Sequence, residues 1–302
     1  MAKKEKSISE RNMFKGDVTF DIINHIIVFI VLIIVAYPII YVVSASFSSP
    51  TAIMAGKIRL LPVEPGLEGY KVLLKYSKVL TGFYNSVIYT VFGTLISMFL
   101  TVCGAYPLSR PDFKVRGKIL LMFAFTMWFT GGIIPTYMIV QKIGILDTRL
   151  AILLPTAISF YNLTIVRTYF VNSIPKELNE AARIDGCDDF RYLIKIALPL
   201  SVPVLAVVGM YYAVGQWNSY FNAFLYLQSQ KLFPLQIVLR DILILNSAND
   251  AIGDLQIASQ REYMSELLKY SLIVVSSLPV IMIYLVVQKH LIKGIMIGAI
   301  KG

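Results

Sequence analysis

An all-α integral membrane protein with six transmembrane helices and both termini in the cytoplasm is the fold class this sequence predicts. Three observations predict it. The 302 residues are 57% hydrophobic and 15% charged, with a mean hydropathy of +0.68. That is too little charge to cover a water-soluble domain. Six apolar segments, 22–47, 83–106, 119–140, 151–171, 200–227 and 267–288, each reach the ~20 residues a helix needs to cross a hydrocarbon core. Lysine and arginine then set the orientation: 1–21, 107–118, 172–198 and 289–302 hold 16 of them, against 10 in 48–82, 141–150 and 228–266, whose total length is greater. Basic residues concentrate on the cytoplasmic side. The expected organisation is therefore a cytoplasmic segment 1–21, a six-helix membrane domain 22–288 and a cytoplasmic tail 289–302.

The first 15 residues are polar and mixed in charge, and the apolar segment behind them is too long for the core of a cleaved signal, so the first span is expected to stay as an anchor. Residues 48–82, with Pro50, Pro62 and Pro65, read as an ordered outer excursion. In the third span, Trp128-Phe-Thr-Gly131-Gly132-Ile-Ile-Pro135-Thr-Tyr137 predicts a loosened or kinked helix. Such a break either lines a substrate route, with Trp128 and Tyr137 on it, or permits close packing. The ends of the fourth and fifth spans are bracketed by Pro155, Pro175, Pro199 and Pro203. Outer segment 228–266 predicts a short helix over 236–245; it either meets a delivery protein or simply tethers two spans.

The polar interval 173–199 carries a helical pattern of its own. Pro175 suits a first helical turn. Ala181, Ala182 and Ile184 form a small apolar surface among Glu177, Glu180, Arg183 and Asp185. Gly186 suits the left-handed end of that helix, and Asp188 the cap of a second one running up to Pro199. A helix, a glycine hinge and another helix between two spans make a knuckle that presses on something in the water.

The fifth span contains Gln216-Trp217-Asn218-Ser-Tyr-Phe-Asn222. Amides in hydrocarbon are costly unless they meet partners or a wet cavity. At helical spacing Asn218 and Asn222 share a face, with Tyr211 and Gly215 below. Aromatic faces beside amides suit a neutral sugar; the competing reading is a helix interface held by amides.

Several chemistries are excluded. No span holds a row of carboxylates for an ion relay, and no GxxxxGK[ST] loop is present to bind ATP. Cys103 and Cys187 fit neither a disulfide framework nor a metal site. His25 and His290 lie at span ends, far apart. The net charge of +10 is scattered among apolar runs, which excludes a nucleic-acid stripe. Asp188-Asp189, the one adjacent acidic pair, is explained by capping, which weakens the alternative of a membrane-embedded enzyme.

Glu180-Ala181-Ala182, then Gly186, then Ile196-x-Leu198-Pro199, resembles the EAA loop of ABC importer permeases. Phe83-Tyr-Asn85, Ala105-Tyr-Pro-Leu-Ser-Arg110, Gly144-Ile-Leu-Asp-Thr148 and the tail from Gln288 to Gly302 extend the resemblance over nearly the whole chain, towards maltose-permease (MetI-like) carbohydrate permeases of the LplC/YtcP-like subgroup. The resemblance implies a type I ABC importer permease fold with a cytoplasmic coupling helix. Glu180, Ala181, Ala182, Arg183, Asp185 and Gly186 would couple to an ATPase; Trp128, Tyr137, Tyr211, Trp217, Asn218 and Asn222 would line the substrate pathway. It implies no catalysis, cofactor or metal in this chain. Its expected partners are a second permease subunit, two ATPase subunits that bind ATP and Mg, an extracellular binding lipoprotein, a carbohydrate and membrane lipid; the many isoleucine, lysine and tyrosine residues of the sequence point to the plasma membrane of a Gram-positive bacterium. The same fold importing a non-sugar solute is the alternative.

Overall fold

The computed structural model describes the backbone of residues 2–248 and 255–299, and the side chains of 18–242, 263 and 265–289. Every regular element among these residues is a helix. Their order is α1 (Ala2–Ser46), α2 (Pro50–Met54), α3 (Glu68–Lys75), α4 (Ser77–Ser109), α5 (Arg116–Trp128), α6 (Ile133–Lys142), α7 (Leu150–Leu153) and α8 (Phe160–Asn172). There follow α9 (Lys176–Ile184), α10 (Asp189–Tyr192), a wide π turn (Leu193–Ala197), α11 (Leu198–Leu200), α12 (Val202–Trp217), α13 (Tyr220–Tyr226), α14 (Leu235–Ala248) and α15 (Leu255–Ala299). The chain clusters into two compact units, Met1–Leu73 with Asp250–Val274, and Leu74–Asn249 with Val275–Gly302.

In the first unit, α1 is apolar on all sides from Val18 and bare along most of its length, as suits a helix surrounded by lipid. Its end is stitched to the excursion that follows. Ser44 Oγ donates to the Leu60 carbonyl (2.6 Å), Val63 N–H donates to Ser48 Oγ (3.0 Å) and Tyr70 OH donates to Ser46 Oγ (2.8 Å). Ala45, Ile53 and Ile58 form a small core with Tyr41, Val63 and Tyr270. Residues 48–73 are thus ordered, as expected.

In the second unit α4 is the post on which α8, α12 and α14 pack. Ala105, Tyr106 and Leu108 of α4 meet Leu163, Val166 and Phe170 of α8 and Val204, Val208 and Tyr212 of α12 in one buried cluster. Close approach depends on Gly93: a Cβ there would lie 2.6 Å from Cδ of Gln216, so α12 rests its glutamine directly on the α4 backbone. Small residues permit such approaches between membrane helices.

The six expected segments do not appear as six continuous helices. Val18–Ser46, Ser77–Ser109 and Ser265–Lys289 are single helices long and apolar enough to cross a membrane. The segment 119–140 is broken at residues 129–132, and its halves α5 and α6 are bent by 116°. Gly132 sits there at φ +83°, ahead of Pro135. The 13 residues of α5 extend only about 20 Å, short of a ~30 Å core. Segment 151–171 is interrupted between α7 and α8, around Pro155. Segment 200–227 begins with an 83° bend between the rod Asp189–Leu200 and α12, and it breaks again at Asn218 and Ser219. Counting each bent pair as one crossing gives up to five candidate spans among the described residues. Proline and glycine free backbone groups inside these segments, and neighbouring helices can take them up. The expected helix over 236–245 lies inside α14. The expected cytoplasmic segments 1–21 and 289–302 fall within α1 and α15 up to Ala299, with the side chains of 1–17 and 290–302 outside the described residues.

Candidate functional site: an exposed elbow and an uncharged cavity

The elbow is built from α9 to α11. Pro175 stands at the N-cap of α9, one residue earlier than the sequence suggested, and Asp185 at its C-cap. Gly186 takes φ +71°. Its N–H donates to the Arg183 carbonyl (3.1 Å), and the Cys187 N–H donates to the Ala182 carbonyl (2.8 Å). This is a complete Schellman cap. The expected glycine hinge is therefore a fixed corner: both hydrogen bonds and the burial of Ala182 beside Cys187 hold it. Asp188 caps the next helix, its carboxylate accepting from the Arg191 N–H (2.8 Å). That helix does not stop before Pro199. It runs through the wide π turn to Leu200, because an added residue in that turn accommodates the missing proline N–H.

Arg110, which follows α4, braces the corner. Its side chain is 16% exposed and its guanidinium lies 5.2 Å from the ring centres of both Tyr106 and Tyr192. It donates to Asn179 Oδ1 and to Asp189 Oδ1, the latter at 3.1 Å. Arg183 reaches Asp112 (2.8 Å) in the open, and that hydrogen bond raises its pKa further above the ordinary arginine range. A cavity of about 390 Å³ under the elbow is lined by Arg110, Arg116, Lys176, Asn179, Glu180 and Arg183, among others. Glu180, Ala181 and Asp185 are exposed, and Ala182 is the one buried residue of α9. Outward, the elbow presents Ile184 at 87% exposure and Phe190 at 72%.

The second feature lies where α12 ends. The helix stops at Trp217, Asn218 is its C-cap, and Asn222 belongs to α13. The expected single helical face carrying Tyr211, Gly215, Asn218 and Asn222 is thus divided by a turn. The turn folds the four residues around one cavity of about 310 Å³. Thr156, Ser159 and Asn162 close its other side. Trp217 points away: it is 2% exposed, and its indole N–H donates to the Ser276 carbonyl (2.9 Å). Its neighbour Gln216 faces the cavity instead, a residue the sequence reading quoted but did not assign. The signal was the buried amide itself; the phase was lost at the helix end. Gln216 Nε2 reaches Thr156 Oγ1 only at 3.4 Å, and its Oε1 has no partner. Tyr212 OH is engaged by Thr101 (2.7 Å) and by the Ser159 N–H (3.1 Å). Trp128 and Tyr137 do not line this cavity; Trp128 is exposed at the end of α5, and Tyr137 stacks on Tyr226 with ring centres 6.2 Å apart.

A third contact was not foreseen. Asp147, at φ +54°, accepts from the Gln228 N–H (2.9 Å) and the Ser229 N–H (2.8 Å) and from the Ser229 hydroxyl. The Ser229 hydroxyl first, then the two amides, holds its carboxyl below the usual carboxylate range.

With these features in view, comparison with known proteins gives a consistent result. The model of a family described as binding-protein-dependent transport system inner membrane component matches residues 18–297. The chain is similar to the polygalacturonan/rhamnogalacturonan transport system permease protein YtcP of Bacillus subtilis, 38% identical over 94% of this chain and 98% of that one. It is similar to protein LplC of the same organism, 37% identical over 95% and 97%. Among solved structures, it resembles a chain of a bacterial ABC transporter involved in the import of the acidic polysaccharide alginate. The TM-score is 0.82 and the identity 36%, covering 91% of this chain and 97% of that chain.

Proposed function

The chain belongs to the family of binding-protein-dependent transport system inner membrane components, and on that premise we propose that it is the permease subunit of an ATP-driven carbohydrate importer. The cargo is an oligosaccharide or a complex glycan fragment, moved inward by alternating access. The observation that carries this reading is the elbow, a braced corner that leaves Ile184 and Phe190 bare in a charged loop. A fully buried side chain of this size gains about 1.5–3 kcal/mol, so the two form an anchor for a protein surface. The occupant is an ATPase subunit, which binds the ATP and Mg; this chain's own role is not catalytic. Taken over the six apolar segments, some of them broken, the bias of lysine and arginine supports a cytoplasmic elbow and cytoplasmic termini.

A second homologous permease, two ATPase subunits and an extracellular binding lipoprotein complete the complex, in the plasma membrane of a Gram-positive bacterium. The names of its polysaccharide-transporting relatives support carbohydrate cargo, as does a cavity walled by amides and aromatic rings. Nucleotide binding would bias a two-state rocking of the paired permeases through Glu180–Gly186.

The test is co-purification from detergent of the wild-type complex and of Gly186→Pro. Proline holds φ near −65° and cannot occupy the corner at +71°. Wild type is expected to bring down an ATPase subunit, and the variant to lose it while remaining in the membrane. A stable wild-type permease complex with no ATPase would overturn the reading.

A further inference from the structure

We propose that the cavity under the elbow holds the phosphodiester headgroup of an anionic phospholipid, drawn from the leaflet on the elbow's side of the membrane. The proposal depends on neither the cargo nor the ATPase. The volume, about 390 Å³, falls within the range of small-molecule sites, about 300–1,000 Å³. Position comes first. The cavity lies where Tyr106 and Ser109 end α4, Arg116 opens α5, and Phe170 and Val171 stand in the last turn of α8. The 33 residues of α4 extend about 50 Å, well beyond a ~30 Å hydrocarbon core, so its end reaches the depth of the lipid headgroups.

The lining is of two kinds. Phe170, Val171 and Ile174 make one part apolar, and Arg110, Arg116, Lys176 and Arg183 make the other cationic. A small anion in water needs only the cations. A phospholipid, whose phosphate is joined to apolar chains, uses both parts, and basic pockets between spans are suited to such headgroups.

The charge is not cancelled from within. Two carboxylates, Asp112 and Glu180, share the lining with the four cations. Asp112 is taken by Arg183 (2.8 Å), and Asp189, which does not line the cavity, pairs with Arg110 (3.1 Å). Among the described residues no acid lies within ion-pair distance of Arg116 or Lys176. The hydrogen bonds of Arg110 to Asn179 and Asp189 both leave from Nη2, which leaves Nη1 and Nε for another acceptor. Arg116 is held close by, its Nη1 donating to the Arg110 carbonyl (3.2 Å). Guanidinium forks match the paired oxygens of a phosphate. A zwitterionic headgroup would bring its own ammonium among these cations and be repelled.

The experiment measures binding to the full chain, purified in a neutral detergent with the subunits that accompany it, by the shift in thermal midpoint. Its probes are dioctanoyl phosphatidylglycerol, dioctanoyl phosphatidylcholine and inorganic phosphate. Phosphatidylglycerol is expected to bind at least about tenfold more tightly than either of the others. Arg116→Gln combined with Lys176→Gln leaves the Arg110 brace in place and should weaken that binding about thirtyfold, at about fivefold for each cation near a membrane surface. Each single variant should weaken it about fivefold, and the pair of single variants carries the test if the double variant fails to fold. Equal affinity for the two lipids, or wild-type affinity in the variants, would overturn the site. Inorganic phosphate binding as tightly as phosphatidylglycerol would overturn the lipid in favour of a free anion.

Discussion

The elbow at 176–200 and the segment at 202–226 are both helices interrupted by a tight turn, and they expose opposite chemistry. At the elbow the turn is closed by its own backbone, and the side chains left bare are Ile184 and Phe190. At the end of α12 the turn gathers Gln216, Asn218 and Asn222, and the atoms left unmet are a carbonyl and a hydroxyl. Each region leaves unsatisfied what its own surroundings do not satisfy: apolar surface in water at the elbow, and polar atoms shut away from water at the end of α12. The pair teaches that an interrupted helix is a means of presenting groups, and that the environment decides what kind of partner they call for.

Three changes would break or sharpen that contrast. The largest effect is expected from Ile184→Glu combined with Phe190→Glu. Loss of about 3–6 kcal/mol of apolar burial should weaken ATPase binding by more than a hundredfold in a detergent binding assay, with the thermal midpoint of the permease unchanged. A drop in that midpoint would mean the two side chains serve the fold instead. An intermediate effect separates the two arginines of the corner. Arg110→Ala removes a guanidinium stacked between Tyr106 and Tyr192 and should cost about 1–3 kcal/mol, seen as faster proteolysis at the elbow. Arg183→Ala, whose pair is open to water, should leave proteolysis unchanged. The smallest effect concerns Asp147, which lies in neither region. Its folded pKa is lowered, so its contribution is present above the ordinary aspartate value of about 3.9 and lost as pH falls through the folded value. Hydrogen exchange at the Gln228 and Ser229 amides, corrected for the intrinsic pH dependence, should rise only below about pH 4. The same rise at pH 6 would show that the carboxylate does not hold them.

Much of the elbow was legible in the sequence because its determinants are local. Gly186 and Asp188 act within three residues of themselves, and the cap and the corner both form where the pattern put them. The brace was not legible, since Arg110 lies 69 residues from Asn179. The cavity was half legible. Its residue types were visible as amides in an apolar run, but the phase was read as one unbroken helix. Termination at Trp217 put Asn218 in the turn and Asn222 on α13, while Trp217 packs in the core and Gln216, also buried, borders the cavity. The breaks inside the spans were not legible for a related reason: hydropathy registers apolar length, whereas the interruptions at 129–132, 154–159 and 201 are set by backbone geometry at glycine and proline.

The contact of Gln216 with Gly93 has a mechanical consequence. A side chain seated on a bare stretch of neighbouring backbone acts as a key in a slot: α12 cannot roll or slide along α4 without lifting it out. Sliding of α12 along α4 has to displace that side chain, so bending is easier at the joints that bound α12, Ser201 and Asn218.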